Sequence, residues 1–323
     1  MNSESSLKIL ALIVLVGFLS CAPYLLSIHW VIILTEILIM SIYAMSFNLL
    51  FGYTGLLSFG QAGFFGVGAY LSVLFLTHVS NSLWLTILAG VAGAAIVSLV
   101  IGWFCVRLDE IYFAILTLGF GMMLYTVAHN WRDVTGGSDG LTLALLPPIS
   151  LYIFNIELFN PRYFYWFTLG IALLAMIFLR RVVLSPFGLL LTATRENSQR
   201  VSFVGSNIRS VRLYAFVLAG SLSGLAGILF ALFNRIAAPE MLHWSFSGKA
   251  VLMTILGGSG TFLGPVVGTG IFFVLEHFIT SYTNNWMIFL GATLVAMVLV
   301  FPRGVLGSSE YLLSKLKGGP SNE

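Results

Sequence analysis

The sequence predicts an all-α fold: a polytopic transmembrane helical bundle of about nine or ten spans, with glycine-broken or re-entrant segments. Hydrophobic residues make up 59% of the chain and charged residues only 8%, whereas a soluble domain carries about 25% charged residues. The apolar runs are continuous rather than alternating. This favours helices over a β-barrel, because backbone polar groups in lipid need internal partners. We therefore expect the chain to use the lipid bilayer as its solvent.

Nine apolar runs are long enough to cross a bilayer core of about 30 Å. They cover residues 9–28, 31–51, 55–77, 83–105, 111–130, 161–180, 213–233, 264–282 and 286–302. We interpret the first run as an uncleaved helix rather than a signal peptide, since it is about 20 residues long and further spans follow at once. A shorter apolar piece at about 248–257 predicts a half-helix or a re-entrant segment.

The placement of Lys and Arg predicts the orientation, because cytoplasmic loops carry the excess of positive charge. If the short piece crosses and the N-terminus is cytoplasmic, eleven of the 15 basic residues lie inside and four outside. If it does not cross, the bias falls to eight against seven. We therefore expect both termini in the cytoplasm. One transmembrane domain covers 1–307, with an external loop at about 131–160 and a cytoplasmic loop at about 181–212. A polar cytoplasmic tail covers 308–323.

Missing motifs exclude several classes of protein. No G-x-x-x-x-G-K-[ST] loop occurs, so the chain has no P-loop of its own for ATP phosphates. No H-E-x-x-H motif is present, and the five histidines are scattered. No basic stripe exists that could bind nucleic acid. We expect a protein without catalytic residues, a metal site or a cofactor of its own.

Six glycines lie between Gly52 and Gly68, although each costs about 1 kcal/mol relative to alanine in a helix. Such density indicates close helix packing, an unwound stretch, or both. In the second interpretation a broken helix lines a translocation path and offers backbone groups and the Gln61 amide to a polar solute. The path candidates here are Thr54, Gly55, Ser58, Gly60, Gln61 and Gly63.

A second glycine cluster lies at 257–264, before Pro265, which suits the first turn of the next helix. Glycine-interrupted segments in both halves of a transporter are the best sequence pointer to a transport site. We therefore add Gly257, Gly258 and Gly260 to the path candidates.

The external loop contains a turn signal at Asp139-Gly140. This stretch is either a structured turn or a docking surface for an extracytoplasmic binding protein, with Thr135, Gly136, Gly137 and Asp139 as the docking candidates.

The cytoplasmic loop has a proline at Pro186 that can open a helix and a glycine at Gly205 that can close one. The spacing between them predicts a short polar helix on which an ATPase can dock. The alternative is that its arginines only enforce topology. The coupling candidates are Arg195, Glu196, Asn197, Arg200 and Gly205.

Two ionisable residues, Glu36 and Glu276, fall inside predicted spans, which makes them functional candidates. Both lie about six residues from an external end, so snorkelling to the interface is the alternative. Asp109 and Glu110 lie at a cytoplasmic turn, where we expect them to pair with Arg107 at little gain in stability.

Five stretches resemble the permeases of branched-chain amino acid ABC importers, the M-type subunit of the Liv system, a group that includes urea and short-chain amide relatives. The stretches are Ser46–Ala62, Thr135–Leu141, Arg195–Gly205, Gly257–Pro265 and Phe301–Gly304. In order, they cover the chain from about residue 40 to 307. One departure is Gln61, at a position where we expect histidine in many relatives.

The resemblance implies a complex in the cytoplasmic (inner) membrane of a bacterial-type cell. The expected partners are a second homologous permease subunit, two cytoplasmic ATPase subunits that hold ATP and magnesium, and an extracytoplasmic substrate-binding protein. The implied activity is alternating-access import of branched-chain or related amino acids, with the 195–205 region as coupling loop. Two alternatives remain at this point: a urea or short-chain amide permease, and an ion-coupled secondary transporter that uses Glu36 or Glu276.

Overall fold

The computed structural model describes residue 17 and residues 20–143, 149–151, 154–156, 159–282, 286–300 and 304–308. Most of these residues are helical, which confirms the predicted helical bundle. The α-helices are α1 (Ile28–Thr54), α2 (Gln61–His78), α3 (Leu83–Cys105), α4 (Glu110–Asn130), α5 (Arg132–Thr135), α6 (Pro161–Val183), α7 (Pro186–Glu196), α8 (Ser198–Phe203), α9 (Ile208–Asn234), α10 (Trp244–Gly257), α11 (Gly264–Tyr282) and α12 (Trp286–Val300). Two 3-10 turns cover Gly137–Asp139 and Pro239–Leu242.

Four short strands lie outside the helices. β1 (Leu141–Thr142) pairs antiparallel with β4 (Ile236–Ala237), and β2 (Ile149–Leu151) pairs antiparallel with β3 (Phe154–Ile156). Because β4 directly follows α9, the β1–β4 pair ties the predicted external loop to the end of that helix. We call this end of the bundle the β1–β4 end and the opposite one, where α7 and α8 lie, the α7–α8 end.

Six helices among the described residues are long and apolar enough to cross a membrane, by length and composition: α1, α3, α4, α6, α9 and α11. The predicted spans 83–105 and 264–282 match α3 and α11 residue for residue. Half of the first predicted span, 9–28, lies outside the described residues, as do 301–302 at the end of the last one and the tail beyond 308.

One predicted span is wrong at its start. Residues 55–60 are not helical, and α2 begins at Gln61 rather than at residue 55. The short piece expected at 248–257 is a longer helix, α10, because four further residues from Trp244 join it.

The helices α1 and α9 form the centre of the bundle. About 72% of the apolar window of α1 and 67% of that of α9 are buried, against 28–33% for the other four candidate spans. Small residues allow this packing: a Cβ on Gly227 would lie 1.8 Å from the Phe65 carbonyl oxygen, and one on Gly224 would lie 2.3 Å from the Ala94 Cβ. In lipid such close backbone approach replaces the hydrophobic effect as the source of helix association.

Candidate functional site

The first glycine-rich segment is a break between two helices. α1 ends at Thr54, whose hydroxyl bonds back to the Leu50 carbonyl, and Gly55 follows in the left-handed region with φ 75°. Ser58 is buried and its hydroxyl accepts the Gly60 N–H at 3.4 Å. The chain becomes helical again at Gln61. The stretch from 55 to 60 therefore has the geometry of the broken helix that we expected as one of two interpretations.

The new helix begins deep inside the bundle. The Ser223 hydroxyl, near the middle of α9, donates to the Gln61 carbonyl oxygen at 2.9 Å. A Cβ on Gly60 would lie 2.5 Å from the Thr117 carbonyl oxygen in the middle of α4, and one on Gly63 would lie 3.0 Å from the Leu124 side chain. Both neighbours are long candidate spans, so the start of α2 lies at about half their depth.

The second glycine-rich segment forms the turn of a helical hairpin. α10 and α11 run antiparallel, and a Cβ on Gly257 would lie 1.7 Å from the Gly264 carbonyl oxygen. Gly258 and Gly260 have positive φ angles of 115° and 85°. At the other end of α10, the Ser247 hydroxyl accepts the Ala62 N–H at 2.9 Å, so the first turns of α10 and α2 meet.

The buried side chain of Asn48 joins α1 to the second glycine-rich segment. Its amide oxygen accepts the Gly260 N–H at 3.1 Å, and its amide nitrogen donates to the Thr261 carbonyl at 3.0 Å. The sequence did not identify this residue as a site candidate. The available signal was a lone amide within an apolar run, which needs a partner in lipid.

The predicted coupling loop is two helices rather than one. α7 ends at Glu196 and α8 begins at Ser198, because Asn197 is extended, with φ −158° and ψ 97°. Its side-chain oxygen accepts the Arg200 N–H at 3.0 Å, which is an N-cap of α8. Glu196 and Arg200 are exposed, and Gly205 ends the pair at φ 87°.

Arg195 connects this loop to both glycine-rich segments. Its guanidinium donates to the Gly52 carbonyl in the last turn of α1. Its Cγ lies 3.1 Å from where a Cβ on Gly55 would be, and its Nη1 lies 3.3 Å from the same position on Gly260. A displacement of α7 would therefore act on both segments through one side chain.

The residues predicted to dock a binding protein on the external loop form a compact turn. The buried Thr135 hydroxyl bonds to the Ala128 and Trp131 carbonyl oxygens at 2.6 and 2.7 Å. Gly136 and Gly137 have φ angles of 75° and 64°, and Asp139 is exposed. A structured turn is therefore present, and docking of another protein on it stays a prediction.

The same turn matches the pattern G-x-S-x-G over 136–140. In serine hydrolases this pattern places the serine on a strand-to-helix elbow beside a histidine base. Here Ser138 lies in a 3-10 turn and its hydroxyl donates to Asp139 at 3.2 Å. The turn thus lacks the elbow geometry.

The intramembrane carboxylates cluster around a lysine. Glu276 of α11 pairs with Lys249 of α10 at 3.3 Å, and Glu36 of α1 lies close enough to interact electrostatically with both. Lys249, which falls within the short piece predicted at 248–257, lies in the second turn of α10. His277 packs against His29, with ring centroids 5.3 Å apart.

Two other expectations concern charge and metal binding. Asp109 pairs with Arg212 of α9 at 2.7 Å rather than with Arg107, whose guanidinium lies 5.3 Å from the Trp103 ring centre. The expected Asp109–Arg107 pair was wrong because the start of α9 lies beside this turn, whereas the side chain of Glu110 lies outside the described part of the chain. No group of three or more His, Cys, Asp or Glu side chains within the described ranges could hold a metal ion.

A family model described as the permease component of branched-chain amino acid transport systems matches residues 30–298. The LivM permease protein of the high-affinity branched-chain amino acid transport system of Escherichia coli K12 is 27% identical over 317 residues, which cover 92% of this chain and 74% of that protein. The LivH permease protein of the same kind of system in Salmonella typhimurium is 26% identical, over 83% of this chain and 91% of that protein.

Another relative is the autoinducer 2 import system permease protein LsrC of Salmonella paratyphi B, which is 28% identical over 67% of this chain and 60% of that protein. No solved structure gives a significant match to the chain. The family match covers most of the chain, and the apolar helices agree with it. The chain therefore belongs to the family of permease components of branched-chain amino acid transport systems, and it is a multi-pass membrane protein.

Proposed function

We propose that this chain is one of two permease subunits of an ATP-driven importer for branched-chain or related amino acids in the cytoplasmic membrane. The match to both LivM and LivH proteins supports a two-permease complex, because those names belong to two subunits of one kind of system. Two ATPase subunits bind at the α7–α8 end. They hold ATP and magnesium, and their ATP hydrolysis drives transport. A binding protein delivers the solute at the β1–β4 end.

The observation that carries the proposal is the contact of Arg195 with both glycine-rich segments. α7 and α8 are short, polar and exposed on one side, as expected for a surface on which a motor subunit docks. Closure of the ATPases displaces these helices, and Arg195 transmits the displacement to Gly52 and to the turn around Gly260. The two broken segments then shift between inward-open and outward-open arrangements, which is alternating access.

The alternatives receive less support. The relatives named above are permeases of transport systems, which does not favour an ion-coupled transporter working alone. Glu276 is also neutralised by Lys249 rather than unpaired. LsrC shows that the family includes a relative named for a different solute. Identification of the solute therefore depends on a transport measurement.

The test is reconstitution of the chain with its co-encoded subunits in liposomes, with uptake of radiolabelled leucine and ATP hydrolysis measured together. We expect Arg195→Ala to reduce uptake about tenfold or more while ATP hydrolysis continues, because α7 then no longer contacts the two glycine-rich segments. The matched control is Arg209→Ala, which removes an exposed arginine at the start of α9. Normal coupling in the Arg195→Ala variant would contradict this mechanism.

A second measurement tests the orientation. Cysteine introduced at Ser202 in α8 is expected to react with an impermeant maleimide only from the cytoplasmic side. Cysteine at Ser138 in the external turn is expected to react only from outside. Labelling of position 202 from outside would show that α8 is not on the cytoplasmic side. ATPase subunits could then not dock on it, and the proposal would be overturned.

A further inference from the structure

The helices α2 and α10 run in opposite directions and overlap at their first turns. The Ala62 N–H to Ser247 hydroxyl bond of 2.9 Å joins their first turns. From this junction α2 runs to the β1–β4 end, where it packs against both strands. α10 runs to the turn that contacts Arg195. The first turns of α2, which has 18 residues, and α10, which has 14, therefore lie side by side, and α10 starts nearer the β1–β4 end, where Leu242 packs on Gly66.

This junction lies at about half the depth of the bundle. The Gln61 carbonyl accepts the Ser223 hydroxyl near the middle of α9, and Gly60 contacts Thr117 near the middle of α4. Helix N-termini carry a partial positive charge, which is screened least where water is excluded. In transporters with broken helices, such ends point at anionic groups of the solute.

An independent observation is the state of the Gln61 side chain. Gln61 is the first residue of α2 and is 0% exposed, yet neither its amide nitrogen nor its amide oxygen has a hydrogen-bond partner. A buried polar group without a partner destabilises the fold, because its lost contact with water is not replaced. An apolar residue would fill this position at lower cost if the residue only packed in the core. The amide is therefore free to bind a polar group of the solute when the transporter adopts another conformation.

We propose that the Gln61 amide and the N-terminus of α2 bind the carboxylate of the transported solute at mid-membrane. The inference rests on the proposed function and names the chemical group that the path recognises. The amide nitrogen donates to a carboxylate oxygen, while the N-terminus of α2 supplies positive potential without a cationic side chain. A neutral site of this kind binds the solute weakly enough to release it.

The test uses the complete transporter with its ATPase subunits in nanodiscs, without the binding protein, and radiolabelled leucine as the probe. We expect Gln61→Met, which keeps the length of the side chain, to weaken leucine binding about tenfold to hundredfold. Competition by leucinamide, which lacks the carboxylate charge, identifies the group recognised. The preference for leucine over leucinamide is expected to fall towards one in the variant.

Thermal stability distinguishes a structural role of Gln61 from a role in binding the solute. Gln61→Met is expected to melt at the same or a higher temperature than the wild type, because it removes two unmet polar atoms. Thr168→Val is the matched control, since Thr168 is also buried with an unpartnered hydroxyl, and it is expected to leave leucine binding unchanged.

The outcomes are distinct. Unchanged leucine binding in Gln61→Met, an unchanged preference over leucinamide, or a lower melting temperature would each overturn the site. Absence of ATP-driven leucine uptake by the complete wild-type system would overturn the proposed function, and the solute named here with it.

Discussion

The two glycine-rich segments have similar compositions and different structures. At the α10–α11 turn the glycines bring two helix backbones into contact: Cβ atoms on Gly257 and Gly268 would lie 1.7 and 1.9 Å from carbonyl oxygens. At the α1–α2 break the chain leaves the helix at Gly55 and re-enters one at Gln61. Glycine density therefore indicates close backbone approach in both segments. The neighbouring elements decide whether the chain forms a tight helical hairpin or a non-helical break.

The largest effect is expected from Gly257→Ala. The added methyl group has no space beside the Gly264 carbonyl, and backbone atoms cannot move as a flexible side chain can. We expect a loss of about 3 kcal/mol or more in stability, measured as a lower melting temperature and poor recovery from the membrane. Gly270→Ala is the control, because a Cβ there meets nothing within 4 Å. Equal stability of the two variants would show that the hairpin is not closely packed.

A smaller effect is expected from Asn48→Leu, which removes the hydrogen bonds between α1 and the second glycine-rich segment. It leaves the Gly260 N–H and the Thr261 carbonyl without their present partner, at a cost of about 1–3 kcal/mol. Leucine uptake should fall with the melting temperature. The control is Ser41→Ala, a buried polar residue of the same helix that bonds only to its own turn, at Ile37. A similar loss in both variants would mean that burial rather than bridging matters.

The smallest effect is expected at Gly55, where the backbone conformation rather than packing is tested. Its φ of 75° costs an alanine about 1–2 kcal/mol. Asparagine adopts this region more readily. We therefore expect Gly55→Ala to lower the melting temperature more than Gly55→Asn does. The reverse order would indicate that contact with Arg195, rather than the left-handed backbone, limits this position.

The positions of most helices could be predicted from the lengths of apolar runs. The break before α2 was expected only as one of two interpretations, and its position was missed because Leu56 and Leu57 continue the apolar run through a stretch that is not helical. The division of the coupling loop at Asn197 was also missed, although asparagine is a strong helix N-cap.

The candidate site was predicted only in part. Both glycine-rich segments and Arg195 were identified from local patterns. Asn48 and Ser247 were not, because their partners are 212 and 185 residues away in the sequence. A hydrogen bond of this kind leaves no periodic trace in either segment.

The sequence by itself determined that the chain is a bundle of membrane helices, since lipid leaves the backbone no other way to satisfy its polar groups. The tertiary structure alone decided which faces of these helices meet. On α3, for example, Gly90, Ala94 and Ser98 are buried, whereas Leu88 and Ile96 are exposed. In a chain where both faces are apolar, hydrophobic periodicity carries no contrast between them, so small-residue packing and long-range hydrogen bonds make the choice.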